Sequence, residues 1–293
     1  MIKLLLGGSP CTHWSIAQTK NRETKAEGIG WELFLNYVIA KEKFQPDYFL
    51  YENNWSASLE IKEQIQAELG CKLMRINSSL VSAQSRDRFY VFNWDVEQPK
   101  DRHIYLSDIL DRKRNDWRPV GKWVFSPFFK SADVNSERRK IDVLKTQSSS
   151  KSYTITTKKG HPQNYILNEE RTMYTNLTIE EYEKLQTLPV GYTLAVPKAE
   201  RYKTIGNGWT AEVIIHILNG ALKDVPRDEK IVVLSMYDGI ATGRYCLDKM
   251  GFKNVEYHAY EIDKYAVAVA MSNYPDIIQH GDAYQVRSED WKI

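Results

Sequence analysis

The stretch from Ile231 to Phe252, "IVVLSMYDGIATGRYCLDKMGF", narrows the choice of fold more than any other. Its first six residues are an apolar run with little polar alternation, the pattern of a strand buried on both faces. Gly239 and Gly243 then turn the chain, and a helical pattern follows. Strand, tight turn and helix make the first half of a βαβ unit, so a parallel sheet with helices on its faces is expected. Two more strand patterns come next: "VEYHAYEID", ending in acids, and "DIIQHGDA", ending at Asp282. Open α/β sheets bind ligands at the carboxyl ends of their strands. Three successive strand ends therefore offer Asp238, Glu261 and Asp282 to a ligand. The turn is neither G-x-G-x-x-G nor a P-loop, because no Lys-Ser/Thr follows it. Glu261, on the next strand, suits the ribose hydroxyls of an adenosine, and Asp282 suits an adenine amine. Singly, each acid reads more readily as a solvated strand end; together they favour a nucleoside cofactor.

A second α/β region spans Met1 to about Trp94. "KLLLGG" is a short buried strand, and "WELFLNYVIAKEKF" places Trp31, Phe34, Leu35, Val38 and Ile39 at helical spacing. "PDYFLYEN" is another strand, a helix is expected from Ser56 to Leu69 with Gly70 as its stop, and "KLMRINSS" and "RFYVFNW" give two more strands. Cys11 follows the first strand and Glu52 ends the next. A free thiol is mostly protonated at neutral pH, so a nucleophilic Cys11 needs activation; a packed structural thiol is the plain alternative. In "AQSRDRFYVFNW", Arg86 and Arg88 stand two apart, so an extended backbone would aim both guanidiniums at one side. Toward the other end, Thr178 and Glu181 form a capping-box pattern, and "AEVIIHILNG" reads as an apolar helix ended by Gly220.

The length of 293 residues suits one large domain, or one with a smaller insert. No apolar stretch is long enough to span a membrane, and "MIKLLLGG" is too short for a secretory signal. Cys11, Cys71 and Cys246 are far apart and odd in number, which argues against a disulfide framework or a cysteine metal site and for a reducing cytoplasm. The net charge of +2 hides an asymmetry, because residues 101–160 hold 14 Lys+Arg against 7 Asp+Glu. That excess lies beside Trp117, Trp123, Phe125, Phe128 and Phe129, a combination that fits a polyanion partner. It also fits a solvated, irregular insert. The expected organisation is a catalytic half at 1–94, a small basic lobe at 95–170, and the remainder, with the cofactor half, at 171–293.

The blocks "GGSPC", "ENN", "QSRDR", "RTMYTNLTIEEYEKLQTLPVGYT", "IGNG", "DGIATG", "YEID" and "GDA" together resemble those of DNA cytosine-5 methyltransferases. The likeness covers nearly the whole chain outside the basic lobe, and "LSMYDGIATG" and "GGSPC" are close to the animal de novo enzymes. Two departures are small: Asn53-Asn54 stands where the family often has Asn-Val, and "GNGWT" replaces the commoner late Gly-Asn block. The third is large. In the family the cofactor block precedes the cysteine block, and here it follows. The chain therefore resembles a circularly permuted member, with "NGALKDVPRDEK" as the new joint.

The resemblance implies a Rossmann-like fold, a mostly parallel doubly wound sheet using S-adenosylmethionine, with double-stranded DNA as partner and neither metal nor membrane. It implies that Cys11 attacks carbon 6 of a flipped cytosine, that Glu52 holds ring nitrogen 3 and the amine, and that Arg88, with Arg86 nearby, binds the ring oxygen and a phosphate. It places Tyr237 against adenine, with Asp238, Gly239, Ile240 and Thr242 around the methionine end. Glu261 with Ile262, Asp282 with Ala283, and Asn207 with Gly208 complete the cofactor set. The segment "THWSIAQTKNRETKAEGIG" resembles the family's mobile catalytic loop. A tRNA methyltransferase and a non-catalytic DNA-binding relative are the competing readings. A monomer is compatible with the sequence, and so is a cognate restriction enzyme.

Overall fold

The computed structural model describes residues 1–16, 21–111, 113–120, 145–149, 151–157 and 164–293. In chain order the described elements begin with β1 (Ile2–Gly7), a 3-10 turn (Cys11–His13), α1 (Gly28–Phe44), β2 (Tyr48–Asn54), α2 (Leu59–Leu69), β3 (Leu73–Asn77) and β4 (Asp87–Phe92). Next come α3 (Leu106–Ile109), β5 (Arg118–Pro119), β6 (Lys145–Thr146), β7 (Tyr165–Leu167), β8 (Met173–Asn176), α4 (Ile179–Leu185) and α5 (Lys198–Asn207). Last are α6 (Ala211–Leu222), β9 (Ile231–Met236), α7 (Thr242–Lys249), β10 (Val255–Tyr260), α8 (Lys264–Asn273), β11 (Ile278–Gln279) and a 3-10 helix (Ala283–Arg287). No helix among the described residues is long and apolar enough to cross a membrane.

These elements form two compact units. The first comprises Met1–Asn77, Asp87–Pro99 and Ala211–Ile293. Its sheet has seven strands in the order β11-β10-β9-β1-β2-β4-β3. All neighbours are parallel except at β4, which is antiparallel to both β2 and β3. Counted from β9 through β11 and on to β1, the order is 3-2-1-4-5-7-6. Its first five positions follow the doubly wound order, which reverses direction between β9 and β1. The expected α/β class is therefore what the chain builds. β1 runs beside β9 in continuous register, Ile2 on Ile231 through Gly7 on Met236, and the amino group of Met1 meets Glu229. The apolar runs read as buried strands are just that: Leu4, Leu5, Leu6, Ile231, Val233, Leu234 and Met236 are fully buried.

One face of this sheet packs on α1 through Trp31, Phe34, Tyr37, Val38 and Phe44, joined by Tyr51, Phe89, Leu234 and Met236. α2 starts at Leu59 rather than Ser56, because Ser58 is the cap: its hydroxyl accepts from Ile61 N at 3.3 Å. Gly70, at φ 70°, ends it as expected. α6 runs through Gly220 to Leu222. The glycine there makes room for the Trp94 ring, 2.9 Å from where a Cβ would stand, instead of stopping the helix.

The second unit comprises Ser78–Arg86 and Lys100–Thr210. Its sheet has the order β5-β8-β7-β6. Its boundaries differ from the expected lobe at 95–170. Residues 171–210, expected with the cofactor half, belong here, and residues 95–99 belong to the first unit. The reason is packing. Ile179, Tyr182 and Leu185 of α4 and Tyr202 and Ile205 of α5 share one apolar cluster with Leu106, Ile109, Ile155 and Ile166. The capping box at Thr178 and Glu181 is present. Trp117 is described, with the Arg114 guanidinium 5.7 Å from its ring centre. Trp123, Phe125, Phe128 and Phe129 lie outside the described residues.

Candidate active site

The parallel register brings the carboxyl ends of β1, β2, β9, β10 and β11 to one edge of the first unit's sheet. The antiparallel β4 presents its amino end at the same edge, with Arg88 opposite Asn54. Cys11, Glu52, Arg88, Tyr237, Asp238, Gly239, Glu261 and Asp282 all stand at or just beyond that edge. The crevice between β1 and β9, where strand order reverses, is where such sheets bind ligands.

Cys11 opens the 3-10 turn after β1. Its carbonyl accepts from Trp14 N (3.1 Å) and Ser15 N (2.9 Å), and the residue is half-buried. Behind it is a buried polar cluster that the sequence did not reveal. Ser9 Oγ and Tyr51 Oη are 2.7 Å apart, and Asn53 Nδ2 donates to Ser9 O (2.9 Å) and Tyr51 Oη (3.0 Å). All three residues are at most 3% exposed. The cluster fixes the chain just before Cys11 to β2. Gly8 is part of the same fit, because a Cβ there would stand 2.7 Å from Glu52 O and 3.0 Å from Glu52 Oε2. Glu52 Oε1 pairs with Arg88 Nε at 3.1 Å, the two side chains being 13% and 11% exposed. Thiol, carboxyl and guanidinium thus come from three neighbouring strand ends.

Arg86 precedes β4 and belongs to the second unit, where its Nη2 donates to Gly206 O (3.2 Å) and Gly208 O (2.9 Å). The two-residue spacing aims side chains to one side only within a continuous strand, and β4 begins at Asp87. Asn207 and Gly208 are in that second unit as well, and Gln186 Nε2 also holds Gly208 O at 2.9 Å.

On the other side of the crevice, β9 delivers a strained turn. Tyr237, Gly239 and Ala241 have φ of 60°, 65° and 59°. Positive φ suits Gly239, and the space where its Cβ would stand is open. Ile240 and Thr242 turn inward, 1% and 3% exposed. Glu261 ties the turn to the end of β10. Its Oε2 accepts from Gly239 N (2.8 Å), and its Oε1 accepts from Ile262 N (2.8 Å) and Asp263 N (2.7 Å). A carboxylate offers about four lone-pair sites, so about one remains on Oε2. A ribose would find one acceptor ready there, and a second only by displacing an amide. Ile262, beside it, is 76% exposed and offers a flat apolar face. Asp282 caps the last 3-10 helix through Tyr284 N (2.9 Å), and Ala283 is in the core. The Tyr237 hydroxyl donates to Leu33 O of α1 at 2.7 Å and accepts from Asn36 Nδ2 at 3.3 Å.

Asp238 Oδ1 accepts from Ser235 Oγ and Tyr257 Oη, both at 2.7 Å. Its Oδ2 is buried without a hydrogen bond of normal geometry among the described residues, helped weakly by the Ala241 amide. Burial, with a smaller push from Glu261, raises its pKa to about 6, while the Tyr257 and Ser235 hydroxyls oppose the rise. An acid whose pKa rises on folding favours the folded state most below its unfolded pKa of 3.8, and that advantage is lost as pH climbs through about 6. The shift corresponds to about 3 kcal/mol. Asp238→Asn, which does not titrate, should therefore gain about 2 kcal/mol on the wild type between pH 4 and pH 8, where most of that difference is lost. Urea unfolding of both proteins at the two pH values measures this, and a constant difference would contradict it.

Residues 1–65 and 97–223 match the family of C-5 cytosine-specific DNA methylases. The chain belongs to that family. The match to the C-5 methylases includes Cys11 and Glu52 and stops before β9, so Asp238, Glu261 and Asp282 lie beyond it. The orphan methyltransferase M.SPRI of Bacillus phage SPR is 25% identical over 224 residues, 72% of this chain and 46% of that protein. The orphan methyltransferase M.Rho11sI of Bacillus phage rho11s is 24% identical over 227 residues, 71% of this chain and 40% of that protein. The chain thus spans less than half the length of these curated relatives. Among solved structures, a DNMT2 variant from Spodoptera frugiperda superposes with a TM-score of 0.49 at 13% identity, over 74% of this chain and 78% of its own.

Proposed function

We propose that this chain methylates carbon 5 of cytosine in DNA, using S-adenosylmethionine and a covalent adduct on Cys11. The observation that carries the proposal is that Cys11, Glu52 and Arg88 stand on neighbouring strand ends, at the sheet edge that also carries Gly239, Glu261 and Asp282. Family membership supplies the substrate class. The residues at the β9–β11 ends fit the cofactor. Gly239 lies open, Glu261 keeps an acceptor site, Asp238 Oδ2 is under-satisfied, and Ile262 presents an apolar face. When bound, S-adenosylmethionine supplies the methyl group that carbon 5 receives.

The residues of the chain then divide the chemistry. Cys11 Sγ adds to carbon 6, which makes carbon 5 electron-rich. Glu52 holds ring nitrogen 3 and the exocyclic amine as charge moves into the ring. Arg88 fixes the Glu52 carboxyl and offers its remaining N–H groups to the ring oxygen. Loss of the carbon 5 proton to water expels Cys11 and restores the ring. The target carbon lies within a base stack, so the cytosine must be extruded first. The order of the blocks supports reading the chain as circularly permuted, because the first five sheet positions follow the doubly wound order only when counted from β9.

Incubation with labelled S-adenosylmethionine and either duplex DNA or tRNA tests the proposal. Label on cytosine of duplex DNA is the expected result; label on tRNA alone, or none, overturns it. Glu261→Ala should weaken cofactor binding about tenfold to a hundredfold while DNA binding changes less than about twofold, as one charge-assisted hydrogen bond is worth roughly 1.5–3 kcal/mol. Calorimetry with the cofactor reads this, and an unchanged affinity removes Glu261 from the cofactor set.

A further inference from the structure

The segment after Cys11 is held by a carboxylate that sequence reading did not single out. Glu23 Oε2 accepts from Trp14 Nε1 (3.2 Å) and from Gly30 N (3.0 Å), and Oε1 lies 3.3 Å from Gly30 N and 3.4 Å from His13 Nδ1. The Glu23 amide also donates to His13 O at 2.9 Å. One side chain thus joins the 3-10 turn that starts at Cys11 to the first turn of α1. That helix has no cap from its own Glu27, so Glu23 satisfies an N–H that would otherwise lack a partner in the chain. Its negative charge also suits the positive end of a 17-residue helix.

The surroundings are shaped for this contact. A Cβ on Gly30 would stand 2.5 Å from Glu23 Oε2 and 2.6 Å from Trp14 Nε1, so only glycine lets carboxylate, indole and helix meet. Trp14 is fully buried, so its ring cannot swing out to find another acceptor for its N–H. Two neighbouring ties use Arg22, whose Nε donates to Trp14 O at 3.0 Å and whose Nη2 donates to Ser56 O at 2.5 Å. These hold the backbone. Among the described residues, Glu23 alone reaches His13, Trp14 and α1 together.

We infer that Glu23 is a positioning residue, which sets where Cys11 stands relative to Glu52 by locking His13 and Trp14 to the start of α1. This rests on the proposed role of Cys11 as nucleophile. Attack on a ring carbon tolerates little misplacement, and an error of about 1 Å can cost about 10²-fold in rate.

The test compares Glu23→Ala and Glu23→Gln in the full chain. Glu23→Ala should lower kcat about tenfold to a hundredfold, with KM for S-adenosylmethionine changed less than about twofold. Glu23→Gln can still accept from Trp14 and Gly30 through its carbonyl oxygen, so it should recover to within about threefold of wild type. Trp14→Phe, which removes the N–H donor and keeps a smaller aromatic ring, should cost clearly less in the Glu23→Ala background than in wild type. A second readout does not need methyl transfer. Alkylation by iodoacetamide, read by mass spectrometry, should speed up at Cys11 about threefold or more in Glu23→Ala as the segment opens locally, while Cys71 keeps its wild-type rate. If wild type transfers no methyl group, the functional reading fails, and the alkylation comparison still decides the role of Glu23. Unchanged kcat and unchanged Cys11 alkylation in Glu23→Ala, equal losses in Glu23→Ala and Glu23→Gln, or Cys71 rising in step with Cys11, would overturn the inference.

Discussion

Cys11→Ser should abolish methyl transfer, lowering the rate by roughly 10⁴-fold or more, while the protein stays folded. The contrast among the three cysteines carries this expectation. Cys246 is fully buried in α7, donates weakly to Ala211 O at 3.5 Å, and has its thiol pushed well above the usual range by burial. It is a packing residue. Cys71 is half-buried in the turn after α2, remote in the fold from the β9–β1 crossover. Cys11 alone stands at the switch point, half-buried, on a segment fixed by the Ser9–Tyr51–Asn53 cluster. A serine hydroxyl occupies nearly the same volume but is a far weaker nucleophile toward a ring carbon, because its conjugate base is scarcely populated near neutral pH. The change should leave the unfolding free energy within about 0.5 kcal/mol of wild type, so lost activity cannot be blamed on lost structure. Cys71→Ser should keep activity within about twofold. Labelled-methyl incorporation, beside urea unfolding, reads both effects. More than a tenth of wild-type rate in Cys11→Ser would remove the thiol from the chemistry.

The sheet edge was legible because buried parallel strands announce themselves. "KLLLGG" and "IVVLSM" are short, mostly apolar runs, and "VEYHAY" is a short aromatic-rich run that ends directly at Glu261. Once those runs are strands, Cys11, Glu52, Asp238, Glu261 and Asp282 must gather at one edge, whatever their separation in sequence. What escaped was of two kinds. Some depended on where a strand begins. The Arg86–Arg88 pairing held only if both residues lay on β4, and Arg86 is instead clamped by the Gly206 and Gly208 carbonyls. The rest depended on non-local polar contacts, which leave no periodicity to read. Ser9, Tyr51 and Asn53 meet across β1 and β2, and Glu23 meets Gly30 across an irregular segment. The placement of 171–210 was hidden for a related reason. Amphipathic α4 and α5 declare that they bury a face but not what they bury it against, and the shared cluster with Leu106, Ile109, Ile155 and Ile166 settles them in the second unit.

Removing the carboxyl of Glu52 should have the second-largest effect, lowering kcat by about 10²-fold to 10⁴-fold. The pair it forms with Arg88 makes the outcome more informative than a simple loss. Both side chains are nearly nine-tenths buried and stand 3.1 Å apart, so deleting one leaves the other charged, desolvated and without its main partner. Glu52→Ala should therefore lose activity and also about 1–3 kcal/mol of stability, the range expected for a buried group left unsatisfied. Arg88→Ala should lose stability similarly. The double variant should be more stable than the sum of the two predicts, because neither charge is then stranded. Activity should follow a different rule. Because Arg88 both steadies Glu52 and reaches the ring oxygen, the double variant should be slower than Glu52→Ala, but by a smaller factor than Arg88→Ala costs in wild type, since part of the guanidinium's work passes through Glu52. Glu52→Gln separates the two roles of the carboxyl. It keeps the shape and one acceptor oxygen, so stability should recover in part, but its amide cannot exchange a proton with ring nitrogen 3, so kcat should remain near that of Glu52→Ala. Urea unfolding and single-turnover methyl transfer across wild type and these four variants measure both cycles. Full activity in Glu52→Gln would mean that the carboxyl serves only to seat Arg88, and the chemistry assigned to the end of β2 would have to be sought elsewhere on the same edge.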